Sequence, residues 1–255
     1  MKKQLQYIDG IYNYCDRWCE RCIFTSRCRN FEGTSSLSPE EQDINNKAFW
    51  NKIGKNFEDA IKLLHKAAEE HGIDLDNITK EESDKYNRKD NRDRAAAKNN
   101  PVAKDTMLYL TKAKKLLENE ELMKEKAGTM IREFEMGIQN EEQISGEAST
   151  IKDCQEIIGW YLHFIHVKFM RALMGKMDDD GWKEANGYQK DSDGSAKIAL
   201  IGIDRSIEAW TLLLQYIPAA EDEIIELLAL LQKTRRMAEA EFPKARKFIR
   251  PGFDE

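Results

Sequence analysis

Glycine and proline are scarce, at 14 and 5 in a chain of 255 residues. A sandwich or barrel of that length needs turn residues about every ten positions, so the scarcity excludes an all-β chain and favours helices. Long hydrophobic runs are also missing: no stretch approaches the roughly 18 unbroken apolar residues of a membrane span. The opening segment, residues 1–10, has no apolar run of the signal-peptide kind. A reducing, cytoplasmic setting is expected, where clustered cysteines are metal ligands rather than disulfides. The chain has no excess of positive charge. Its net charge of −6 argues against nucleic acid as a partner and leaves a protein partner or a homo-oligomer. Nor is there a G-x-S-x-G elbow, a GxGxxG turn after a strand or a P-loop lysine.

What the chain does have is charge, 34% of residues against 41% apolar. Long helices with solvated outer faces produce that balance. The reading is all-α: a bundle of four to five long helices over residues 34–255, preceded by a cysteine-rich arm over residues 1–33. In the bundle, Ser38-Pro39-Glu40-Glu41 is a helix start with N-cap, first-turn proline and capping-box glutamate. Its helix carries Phe49, Ile53, Phe57, Ile61, Leu64 and Ala68 as an apolar stripe and should stop near Gly72. Residues 74–100 are polar and read as a mobile connection, although Thr79 and Glu82 could cap a polar helix. Pro101 opens a second helix, with Met107, Leu110, Leu117, Met130, Ile131 and Phe134 facing inward. Thr150 and Asp153 start a third, apolar all round from Ile157 to Leu173 and hence central, ended by Asp178-Asp179-Asp180-Gly181. A polar loop over 181–194 leads to a fourth helix, from about Ser195 to Tyr216, and Pro218 opens a fifth.

The strongest chemical signal lies in the arm. Cys15, Cys19, Cys22 and Cys28 follow C-x3-C-x2-C-x5-C, and only Cys154 lies elsewhere. Four thiolates so close together match the donor set of one [4Fe–4S] cluster or one Zn²⁺. Structural zinc sites use two C-x2-C knuckles with a longer spacer, whereas here all four cysteines share one strip. Cys15, Cys19 and Cys22, at i, i+4 and i+7, would share a face if the strip were helical. Tyr7, Tyr12, Tyr14, Trp18, Phe24 and Phe31, with several arginines, can wall a cluster and donate to its sulfurs. A [4Fe–4S] cluster is the expected cofactor, with zinc as the alternative.

The segment Cys19 to Cys28 resembles the C-x2-C-x5-C end of the iron–sulfur loop in DNA glycosylases of the endonuclease III type. The resemblance implies cluster ligation by Cys19, Cys22 and Cys28. It departs at the first cysteine, where that family has six intervening residues and this chain three, and no helix-hairpin-helix accompanies it, so glycosylase activity is not implied. The arm as a whole also resembles that of an uncharacterised bacterial family of helical proteins, which implies no function.

A second constellation lies in the helices. Glu156 and His163 share a stripe on the third helix, with His166 beyond. Asp204 and Glu208 are i, i+4 on the fourth, and Glu58, His65 and Glu69 recur on the first. Inward carboxylates and imidazoles can bind metals in a bundle, which makes Glu156, His163, Asp204 and Glu208 the candidate catalytic set. No Glu-x-x-His pair is present, however, and the competing reading is ion pairs, of Asp204 or Glu208 with Arg171 or Arg205. Asp191-Ser192-Asp193-Gly194 resembles the opening of a calcium loop but lacks its closing glutamate, and reads as a helix start. Seven cations between Lys233 and Arg250 form a solvated face or a strip for an acidic partner.

Overall fold

The computed structural model describes residues 6–35, 37–75, 77–178 and 189–254, with the backbone alone at 34 and 35. Among the described residues there are nine α-helices and no strand, so the protein is all-α as expected. None of these helices is long and apolar enough to cross a membrane. The chain divides into two compact units, one of residues 1–13 and 17–92, the other of residues 14–16 and 93–255. That differs from a division after residue 33: the first long helix groups with the arm, and three arm residues group with the later helices.

The first unit holds α1 (Arg29–Ser35), α2 (Pro39–Gln42), α3 (Lys47–Glu70) and the first part of α4 (Lys80–Asn99). Ser38 and Glu41 form the reciprocal capping box. The helix it opens stops after four residues, because Asp43 turns the chain by accepting from the Asn45 N–H, and Asn46 caps α3 afresh. The end of α3 falls where expected. Gly72 takes φ +66°, and the Ile73 N–H reaches back to the Ala68 carbonyl at 2.8 Å, which closes a Schellman turn. Residues 74–100, expected as a mobile connection, contain a 20-residue helix opened by the Thr79–Glu82 box. The Lys, Glu, Arg and Ala that leave little to bury are also strong helix formers.

The second unit is built on α5 (Pro101–Leu117), α6 (Glu120–Glu135), α7 (Glu141–Asp178), α8 (Asp191–Tyr216) and α9 (Glu221–Glu241). Helix α7 packs most extensively on α8, and α5 and α9 close the ring by packing on those two and on each other. Ile158, Tyr161, Ile165 and Phe169 of α7 and Ile198, Leu200, Ile203 and Trp210 of α8 are all buried. Close approach depends on Gly202, where a Cβ would stand 3.0 Å from the Tyr161 ring and 3.1 Å from Ile165. The Trp210 indole donates to the Tyr109 hydroxyl at 3.0 Å, so its buried N–H is satisfied.

The second and third helices differ from expectation in their limits. The helix opened by Pro101 is two, separated at Asn119, which caps α6. Met107, Ile131 and Phe134 are exposed, Leu110 and Leu117 are half-buried, and Met130 is buried. Helix α7 begins nine residues before Thr150, where Asn140 and Gln143 exchange capping hydrogen bonds at 2.9 Å. The residues expected to end it beyond Asp178, and the glycine at 187, lie outside the described residues.

Candidate functional site

In the first unit the arm is a string of short turns. The Ile8 N–H donates to the Arg27 carbonyl, and the Arg27 guanidinium donates to the Gln6 carbonyl, so the strip is folded back on itself. Cys19–Arg21 and Thr25–Arg27 are single 3₁₀ turns, ended by Cys22 and Cys28, both with extended backbone. No α-helix runs through residues 15–22, so the face expected for Cys15, Cys19 and Cys22 does not form. The Phe24 N–H donates to the Cys22 sulfur at 3.4 Å, and the Cys28 carbonyl accepts from Glu32 as α1 starts. Arg21 stacks over the buried Trp18 ring at 4.1 Å. Cys15, Cys19, Cys22 and Cys28 are all half-buried. Their chemistry suits a metal, and a backbone N–H aimed at sulfur suits a thiolate. Their placement does not close a site: among the described residues no three His, Cys, Asp or Glu side chains converge on one metal position.

Residues 14–16 belong to the second unit, and their neighbours there are specific. Asp16 Oδ2 accepts from the Tyr161 hydroxyl at 2.5 Å and from Arg205 at 2.7 Å, and Arg205 also donates to the Tyr161 oxygen. The Trp160 indole donates to the Asp16 carbonyl at 3.1 Å. Burial, then the Asp16 carboxylate, hold the Tyr161 phenol well above its ordinary pKa. Burial would lower the Arg205 value, but Tyr161 and Asp16 outweigh it and raise it. One residue earlier, the Tyr14 hydroxyl donates to Asp191 at 2.8 Å, and Arg171 holds the same carboxylate through two nitrogens. Burial, then Asp191, push Tyr14 up to about 12. The Tyr14 ring meets Phe248 edge-on over Gly194, where a Cβ would lie 2.4 Å from Tyr14 and 2.7 Å from Phe248. Asp16, Tyr14 and Tyr161 carry no local signal in the sequence beyond flanking a cysteine or lying in an apolar run.

The expected catalytic set is not assembled. Glu156, His163 and Glu208 are exposed, with Glu156 3.9 Å from Lys152. Asp204 is half-buried and held by Arg235 at 3.2 Å and Arg246 at 2.6 Å, so ion pairing is the observed arrangement, through arginines other than Arg171 and Arg205. Glu58, His65 and Glu69 are exposed on α3. These residues sit at helical spacing with apolar neighbours, but on the outward side of the stripe. His166 alone turns inward: its Nδ1 lies 2.9 Å from the Thr106 hydroxyl, and burial lowers its pKa.

The basic C-terminal strip is largely engaged within the second unit. Lys233 pairs with Asp105 at 2.8 Å, Arg246 bridges Asp204 and Glu239, and Arg250 grips Asp254. Asp191 and Asp193 lie in the first turn of α8, in accord with a helix start rather than a calcium loop. No protein-family model, curated protein or solved structure matches this chain.

Proposed function

We propose that this is a metal-binding helical protein, a bundle with a cysteine arm, in which Cys15, Cys19, Cys22 and Cys28 take up a [4Fe–4S] cluster in a redox, sensing or structural role. The observation that carries the reading is the spacing, four thiols within one short strip of a chain that has only one other cysteine. The Phe24 N–H on the Cys22 sulfur supports it, because such bonds stabilise sulfur-borne negative charge. Since no three donors converge in the described arrangement, uptake requires the short turns of the strip to draw in around the metal.

Zinc is the second reading. The 3₁₀ turn from Cys19, closed by the Cys22 N–H on the Cys19 carbonyl at 3.2 Å, supports it, because zinc knuckles use the same C-x2-C spacing. On either reading the setting is the reducing cytoplasm and the partner a protein rather than nucleic acid. A bundle enzyme using Glu156, His163, Asp204 and Glu208 is not favoured by any contact among them.

Anaerobic purification followed by visible absorption and iron, sulfide and zinc analysis of one sample tests the proposal. A brown protein with about four iron and four sulfide per chain supports the cluster. About one zinc in a colourless solution replaces it with the zinc reading. A protein with neither metal overturns both.

A further inference from the structure

Helix α3 is amphipathic along its whole length, yet its apolar side is largely bare. Lys55, Lys62 and Lys66 fall on one side of the helix, Trp50, Ile53, Phe57, Ile61 and Leu64 fall on the other, and Lys47, Glu58 and Glu69 lie on the flank between them. The opening turns carry Phe49 and Ile53, which are half-buried, on the part of α3 that packs on α2. Beyond them Phe57, Ile61 and Leu64 are 66%, 53% and 56% exposed, and Trp50 is 57% exposed with its indole N–H fixed on the Ile44 carbonyl. Three large side chains on successive turns of one stripe are not the singly scattered surface hydrophobes of an ordinary monomer.

We propose that α3 is a dimerisation helix, whose apolar stripe pairs antiparallel with α3 of a second copy of this chain. Two features of the helix select that occupant. The first is self-complementarity, which a two-fold interface demands. Read from either end about a centre near residue 59, the stripe presents large apolar side chains at nearly the same places, so Phe57 meets Ile61 of the second copy and Ile53 meets its Leu64. The three-and-four spacing is the seam on which helices pack at a shallow angle.

The second feature is charge. Lys52, Lys62 and Lys66 are already matched within the chain, by Glu41, Asp59 and Glu70. Among the described residues, Lys47 in the first turn of α3 and Glu69 in its last turn have no ion-pair partner. Antiparallel pairing brings Lys47 of one copy toward Glu69 of the other. Parallel pairing would set Lys47 on Lys47 and Glu69 on Glu69. The helix dipoles also oppose each other in the antiparallel arrangement.

The test is sedimentation equilibrium on the full chain, purified anaerobically with whatever metal it carries. The unaltered chain is expected to dimerise. Phe57→Glu and Leu64→Glu, each shown by far-UV circular dichroism to keep its helices, should weaken the dimer about thirtyfold or more. Lys47→Glu should weaken it less, and Lys47→Glu combined with Glu69→Lys should recover it. A monomeric unaltered chain overturns the proposal, as does a dimer indifferent to Phe57→Glu and Leu64→Glu. A dimer that these changes weaken but the charge exchange does not restore overturns the antiparallel arrangement. None of these outcomes depends on which metal the cysteines hold.

Discussion

Asp16 ties residues 14–16 to the buried face of α7 and α8. It is the acceptor for a fully buried phenol and for Arg205. Asp16→Ala would strand the Tyr161 hydroxyl in the core and leave Arg205 half-exposed with a weaker partner. A loss of about 2 kcal/mol is expected in urea unfolding, and less for Tyr161→Phe, which removes the donor along with its need. His166 sets a pH dependence of definite sign. Burial, which disfavours the imidazolium, puts its folded value below the ordinary 6.5, so the unfolded chain is the better proton acceptor. Its contribution is whole above pH 6.5 and shrinks as pH falls below that value. His166→Gln should therefore flatten the loss of stability on acidification, read from unfolding midpoints between neutral and mildly acid pH. Neither role is written locally. The partners of Asp16 lie 145 and 189 residues away, and nothing near Thr106 marks it as the neighbour of a histidine 60 residues on. The thiols are the opposite case, because their spacing is a local property, legible without any fold.

Element limits were legible where the cap was emphatic. Ser38 with Glu41, Pro101, Gly72 and Pro218 mark helix starts and stops at the places where they occur. Asn119, Gly137 and the Asn140–Gln143 box mark them as well, but they are quieter signals inside continuous helical periodicity, so α5 and α6 read as one helix and α7 read short. Inward and outward faces differ from expectation in α6, where Ile131 and Phe134 lie at helical spacing but are exposed. Helices α7 and α8 offer a paired test of glycine, one exposed and one at their contact. Gly159 meets nothing within 4 Å, so Gly159→Ala should stabilise by about 1 kcal/mol through backbone propensity. At Gly202 the same gain is outweighed, because the Tyr161 ring facing it is tied at its hydroxyl and cannot retreat. Gly202→Ala should cost about 1 kcal/mol or more in the same measurement.

At the scale of the molecule, the turns from Cys19 to Cys28 and the ring of α5, α7, α8 and α9 are held by different contacts. On the proposed metal-binding reading, Cys22→Ser should abolish metal uptake and loosen the turns around Trp18, while the helical signal from α5 to α9 persists. Far-UV circular dichroism with metal analysis of the same sample checks this. A collapse of the helical signal would mean that metal binding folds the whole chain. The helical character of the later chain is legible in its periodicity, whereas composition suggests a division at residue 33. That division missed the three residues, 14–16, which no composition shift could have assigned to helices beginning beyond residue 93.

The outlying position of Tyr14 and Asp16 governs the order of events on the ribosome. Arg205 follows Asp16 by 189 residues, so at roughly 5–20 residues per second the carboxylate waits about 10–40 s for its guanidinium. Through that interval the neighbouring thiols ride on a nascent chain that still lacks this guanidinium. The segment 14–16 can therefore take its place against α7 and α8 only after residue 205 has been made.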